Sequence, residues 1–414
     1  MSSDATPELE PIAFGQRLQI LRTRRGMSRP TLAGLLGKSP SWLKAVETGR
    51  LQAPRLPMLL RIAETLRVRD LAELTGDSSV DGSSVLFIGP GHKRLAAVRS
   101  AIDTYPLVSD REAPSLPHLR ARLARAWSAR HGSPNHRDVI GALLPDLVQD
   151  AQLAVRQVDR AADRRAAQAL LSEVYGLAQF FLAYQPDSAL LWRVAERGMV
   201  AAQESEDPHA IGVAAWLAIE AHRDSAHYDA ADHITEEARR FLVPYLSDGC
   251  EDVRAIAGAL EIAAGYTAAR RGQAGPAWGW WDRAQVAARA LPPGYYHPIT
   301  SFSQAIMGAH AVTLAVELHA GGESVRQAAR ADAATIPSRP RRARHRIEEA
   351  RGYQLAGHVE TALATLERAH ETAPETIKYN GYARRIVLEE TESRSPALRQ
   401  RASRLAVNLG MLAA

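Results

Sequence analysis

The chain has 414 residues, 46% hydrophobic and 23% charged, with a net charge of +5 and a single cysteine, Cys250. That length predicts two or more domains. One cysteine excludes an intrachain disulfide and a cysteine-based zinc site, no apolar run approaches the ~18–20 residues that cross a bilayer, and the acidic, polar start MSSDATPELEP has none of the marks of a signal peptide, so a cytoplasmic protein is expected. The charge is uneven. From Gly15 to Arg69 twelve Lys and Arg stand against two acids, Glu47 and Glu64, a net of +10, and the rest of the chain carries −5. A compact basic module on a mildly acidic body points to a polyanion partner for the module alone.

The first predicted elements are five short helices. Ile12–Arg24 carries Phe14, Leu18 and Leu21 at helical spacing, and Arg25-Gly26-Met27 breaks it. Ser28 caps a second helix, Arg29–Leu36, and Gly37-Lys38 connects it tightly to a third. The stretch GKSPSWLKAVETGR, residues 37–50, has its own start and stop: Ser39 as N-cap, Pro40 at the first helical position and Gly49 just past the end. Pro54 and Pro57 flank the start of a fourth helix that runs to about Leu66, and Asp70 caps a fifth, Leu71–Thr75. Two short helices joined by a three- to four-residue turn with Gly make a helix-turn-helix, whose second helix enters the DNA major groove. In this reading Leu43 and Val46 anchor the third helix, and its other face, with Ser41, Trp42 and Lys44, is offered to DNA.

The run from Gly15 to Leu74 has Arg22, a Gly-Met-Ser turn, Thr31-Leu32-Ala33, a Ser-Pro-Ser-aromatic-Leu sequence and Glu47-x-Gly49. With these landmarks it resembles the Xre family, which has the lambda-repressor-like helix-turn-helix fold. The resemblance implies that Pro40, Ser41, Trp42 and Ala45 face bases and that Arg29 sits near phosphate or a base. Arg50 and Arg55 would hold phosphate, and Lys38, Ser39 and Lys44 complete the DNA-contacting set. Arg22 and Glu47 would form an ion pair between the first and third helices. Two positions depart from the family pattern: position 45, often a long polar reader, is Ala, and position 44, often small, is Lys. Ser41 bonds to any base, whereas Pro40, Trp42 and Ala45 offer apolar contact to thymine methyls, so no operator sequence follows. Trp42 has two readings, packing on its own module or contact with DNA. The domain is expected to span 1–76, with a core of 13–75.

Residues 77–117 read as linker and connecting segment. Val85–Ile88 followed by Gly-Pro-Gly-His-Lys imitates a strand entering a phosphate loop. The spacing fails, because Lys93 follows His92 and Arg94 replaces the hydroxyl. From 118 to 414 the pattern is helical, with Ala-rich segments between short breaks. Residues 349–374 place Ala350, Tyr353, Gly357, Ala362, Leu366, Ala369 and Pro374 at the spacing of a tetratricopeptide repeat, and weaker units align on Ala226, Gly272 and His319, 46, 47 and 38 residues apart along the series. These steps exceed the usual ~34. Residues 166–204 are expected to form another helix pair. The body thus resembles a tetratricopeptide-like α-solenoid, and the whole chain is similar to Xre-family regulators with a C-terminal tetratricopeptide-like domain, of actinobacterial type. In such regulators the concave face receives a peptide or another small signal.

Candidates for chemistry are sparse. His222, His227 and His233 are spaced five and six apart, not the four that suits helical zinc ligands. Cys250 has no nucleophilic partner and reads as packing or incidental. The aromatic concentration at Trp278, Trp280, Trp281, Tyr295 and Tyr296 is either helix-pair core or a ligand pocket, the pocket set being Trp278, Trp281, Tyr295, Tyr296 and His310. The basic run SRPRRARHR, residues 338–346, is either a solvated face or a second contact to DNA or an acidic partner. The sequence therefore predicts an all-α, non-enzymatic transcription regulator with no metal or cofactor. Its partners are double-stranded DNA, a second copy of itself in a homodimer, and a small-molecule, peptide or protein ligand on the repeats. The alternative is a repeat adaptor whose basic module docks protein.

Overall fold

A computed structural model of the chain describes residues 13–68, 71–76, 91–107, 110–247 and 250–412. The described residues form helices and no strand. The chain gathers into two compact units, one of residues 1–89 with 384–414, the other of residues 90–383.

The first unit opens with α1 (Phe14–Arg24), α2 (Arg29–Leu35), α3 (Pro40–Glu47), α4 (Leu56–Leu66) and α5 (Leu71–Thr75). Local chemistry sets their ends. The hydroxyls of Ser28 and Ser39 accept from the backbone N–H of Thr31 and Trp42 at 3.2 and 3.1 Å, capping α2 and α3. Gly37 takes a left-handed φ of 64°, and Lys38 N–H then bonds back to the Ala33 carbonyl at 2.8 Å, which closes α2 and turns the chain into α3. Leu18, Leu32, Leu43, Val46, Ile62 and Leu66 form the dry centre. Gly15 permits the closest approach: a Cβ there would lie 2.4 Å from the carbonyl oxygen of Glu47, so α1 can rest on the end of α3 only without a side chain. Ile12, the Asp70 cap and Val85–Ile88 lie outside the described residues.

The second unit begins with α6 (Leu95–Asp103), whose Val98, Ala101 and Ile102 enter the main core of that unit. The segment expected to be a connector thus contains a packed helix. Six helix pairs follow among the described residues: α7 (Leu116–Gly132) with α8 (His136–Gln157), α9 (Ala161–Leu182) with α10 (Ser188–Ser205), α11 (Pro208–Asp224) with α12 (Tyr228–Leu242), α13 (Glu251–Arg270) with α14 (Ala274–Arg289), α15 (Met307–Glu317) with α16 (Gly321–Arg330), and α17 (Arg339–Leu355) with α18 (Val359–Thr372). The four aligned landmarks Ala226, Gly272, His319 and Gly357 occupy one structural position. Each ends the first helix of its pair at positive φ (48°, 79°, 57° and 83°). In each pair the next residue's N–H returns to a carbonyl five residues back, the same helix stop four times.

The body closes on itself. α17 of the sixth pair packs on α7 of the first, where His131 Nδ1 and Ser338 Oγ are 2.9 Å apart. Glu375, on α19 (Pro374–Tyr379), accepts from the backbone N–H of Arg137 and Asp138 at 2.6 and 3.3 Å. The long connection between α14 and α15 threads the interior. Tyr295 donates to Asp252, the Tyr296 ring lies 6.1 Å from that of His131, and Phe302 fills the space beside Gly258, where a Cβ would meet it at 2.2 Å. The chain ends with α20 (Gly381–Glu390) and α21 (Pro396–Asn408). Residues 384–414 cluster with the N-terminal helices and not with the repeats, unlike the expected division at residue 118.

Candidate nucleic-acid interface

α3 has two faces at helical spacing. Leu43, Val46 and Glu47 are buried, while Ser41, Lys44 and Ala45 occupy the opposite side, Ser41 and Lys44 exposed and Ala45 half-buried. Pro40 and Ser39 are exposed at its N-terminus, and the Ser39 hydroxyl is engaged as the cap. Trp42 is half-buried. One side packs on the core of the module, and the Lys38 ammonium lies over its ring at 5.8 Å. Lys38, Lys44, Arg50 and Arg55 are exposed and make no ion pair among the described residues, which leaves four cations around α3 free to meet phosphate.

Arg29, at the start of α2, is engaged within the module. Its Nε donates to Glu47 Oε2 at 2.5 Å, with the side chain 37% exposed. Glu47 also accepts from Arg22 Nε at 2.6 Å and Nη2 at 3.3 Å, and Arg22 Nη1 donates to the Met27 carbonyl at 2.7 Å. One carboxylate thus holds α1, α2 and α3 together, and Arg29 is oriented by that carboxylate first.

Trp278 and Trp281 of the candidate ligand pocket pack with Tyr266, on which His310 also rests. Trp278 and Trp281 meet edge to face at 6.1 Å, and Trp281 Nε1 donates to the Met307 carbonyl. Tyr295 turns to Asp252, Tyr296 to His131, and His310 to the Tyr266 hydroxyl at 2.6 Å. A cavity of about 420 Å³ lies elsewhere, lined by Arg120 and Leu123 of α7, Glu173 of α9, and Asp207, His209 and Val213 at the start of α11. Burial holds the Glu173 carboxyl above its ordinary range. Periodicity gave no sign of this cavity, because its residues come from three separate helices and, with Ile299, from the connection after α14. Cys250 is exposed, so packing does not account for it. Among the described residues no group of three His, Cys, Asp or Glu is arranged to hold a metal, and no helix is long and apolar enough to cross a membrane.

His297 is buried in the repeat interior, and His131 and His209 are half-buried there. His297 Nδ1 accepts from the Thr300 N–H at 3.1 Å, so its own proton sits on Nε2, 3.2 Å from Nε2 of His209. Burial, then His209, push His297 down to about 3, with Asp252 opposing; burial, then Arg130, push His131 down to about 4. Such groups are neutral in the fold and titrate near 6.5 when unfolded, so their contribution is complete above about pH 6.5 and is lost as pH falls toward the folded values. Each loses up to about 1.4 kcal/mol per pH unit in that window. Urea midpoints measured from pH 7 to 4.5 should fall steeply for the wild type and less steeply for His297→Gln; parallel slopes would remove this assignment.

A family model described as a helix-turn-helix domain matches residues 13–75. No curated protein matches the chain. Among solved structures, PlcR of Bacillus thuringiensis, in complex with the peptide PapR7 and DNA, is matched at 11% identity with a TM-score of 0.19, over 96% of this chain and 95% of that one.

Proposed function

We propose, from a helix-turn-helix domain at residues 13–75 joined to an all-α body of helix pairs, that the protein is a DNA-binding transcriptional regulator whose repeat body receives a ligand. The observation that carries the reading is the exposed face of α3, where Ser41 and Lys44 stand among the unpaired cations Lys38, Arg50 and Arg55. Ser41 reads a base edge, the Trp42 and Ala45 surfaces meet thymine methyls, and the cations fix register on phosphate. The protein acts in the cytoplasm, without catalysis, as a dimer that reads two half-sites about 34–36 Å apart or a multiple of that. A ligand that binds one conformation of the body better shifts the population competent for the operator.

The test is selection of bound genomic fragments by the purified protein, repeated with Ser41→Ala plus Lys44→Ala. A shared inverted repeat, enriched by the wild type and lost in the variant, is the expected result. Affinity for that operator should fall steeply with salt, and each of Lys44→Ala, Arg50→Ala and Arg55→Ala should lower the log–log salt slope by about 0.9. Salt-independent association with protein and no enriched DNA would replace this reading with the adaptor one.

A further inference from the structure

The basic run that opens α17 divides between two roles. Arg344 pairs with Glu348 at 2.5 Å, and Arg346 donates to the Arg368 carbonyl at 3.0 Å. Arg341 is half-buried and within electrostatic reach of Arg130 on α7 and His310 on α15. Arg130 lies over the Phe180 ring at 4.7 Å, and its Nε and Nη1 are buried with no hydrogen-bond acceptor. The Tyr296 hydroxyl is also buried and unpartnered.

No carboxylate answers this charge, since neither Arg130 nor Arg341 has an ion pair among the described residues. The nearby acids are engaged: Glu375 by the N–H groups of Arg137 and Asp138, Glu220 by Arg223, and Glu349 by His345. Burial, then the charges of Arg137 and Arg341, push Arg130 down to about 9. Buried donors and charges without partners cost free energy, and a native structure that keeps several together calls for something that answers them.

We propose that Arg130, Arg341 and the Tyr296 hydroxyl form the binding site of a small organic anion, a carboxylate or phosphate carried on an aromatic body. Guanidinium donors suit either anion. Phe180, under Arg130, and Trp127, edge to face with Phe180 at 5.6 Å, supply the apolar walls. Arg130 belongs to the first helix pair, Arg341 to the sixth, and Tyr296 to the connection after the fourth. An anion bridging them therefore ties together the elements whose contact closes the body. The biological use of the site rests on the regulator reading; anion binding itself does not.

The test is thermal unfolding of the full chain with benzoate, with phenyl phosphate and with neutral benzamide. One or both anions should raise the melting temperature in a saturable way at millimolar concentration, with no effect of benzamide. Arg130→Met plus Arg341→Met should abolish the shift. Without any probe, Arg130→Met should melt higher than the wild type, since it removes an unanswered charge, whereas a structural arginine would leave it melting lower. No protection by either anion, equal protection of the double variant, or a lower melting temperature for Arg130→Met overturns the proposal. Operator binding by the same samples separates the two readings: intact DNA binding with no anion effect removes this site and leaves the regulator.

Discussion

Glu47→Ala is expected to lower the stability of the N-terminal unit by about 3–5 kcal/mol, a large share of the roughly 5–15 kcal/mol that holds a typical domain. The Glu47 side chain is fully buried and answers two guanidinium groups, Arg22 at 2.6 Å and Arg29 at 2.5 Å. Removing it leaves Arg22, whose side chain is 9% exposed, as an uncompensated charge beneath the reader helix. The Arg22 contact to the Met27 carbonyl then holds a charge in place without an anion. DNA binding should be lost with the fold, although Glu47 is buried inside the module. Two measurements check this, urea unfolding and operator affinity. Arg22→Met plus Glu47→Leu should recover much of the stability, because an apolar pair of similar volume replaces both charges. A urea midpoint unchanged by Glu47→Ala would mean that packing alone positions α3.

The helix-turn-helix was legible because its boundaries are local events. Ser28 and Ser39 cap through bonds three residues away, and Gly37 turns the chain where a side chain would be strained. The repeat register was legible for the same reason, since Ala226, Gly272, His319 and Gly357 each end a helix by one local geometry. Apart from Arg22 and Glu47, which the family resemblance paired, partners distant in sequence were not legible. Helical spacing places Arg29 at the start of α2, yet it does not say that Glu47, 18 residues on, takes its Nε. The aromatic residues near 278–297 are neighbours in sequence, but the connection after α14 sends Tyr295 and Tyr296 to different helices. The interior cations were half legible. The run at 338–346 announced unusual charge, and only closure of α17 onto α7 brings Arg341 toward Arg130.

The C-terminal segment is where sequence and structure part furthest, and it carries the second large effect. Arg385 of α20, with a side chain 4% exposed, pairs through Nε with Glu64 of α4 at 2.5 Å and donates from Nη1 to Glu389 at 3.1 Å. Glu389 in turn accepts from Arg61 at 2.8 Å, and Arg61 reaches the Leu35 carbonyl at the end of α2 at 3.3 Å. The alternating charges Glu64, Arg385, Glu389 and Arg61 thus fasten residues from beyond 384 to two helices of the DNA-binding module, all within one compact unit. Arg385→Ala takes one cation from Glu64 and leaves Glu389 with Arg61, and the expected loss is about 1.5–3 kcal/mol. Operator affinity should fall with it, although Arg385 lies 341 residues from Lys44 in sequence. Arg399→Ala is the control. Among the described residues Arg399 donates to the Ser393 and Arg394 carbonyls at the exposed start of α21, where a change of no more than about 0.5 kcal/mol is expected. If Arg385→Ala and Arg399→Ala give the same urea midpoint and the same affinity, the C-terminal helices ride on the module without supporting it. If Arg385→Ala alone weakens both, residues 384–414 are part of the DNA-binding fold, and the module defined by residues 13–75 is incomplete without the end of the chain.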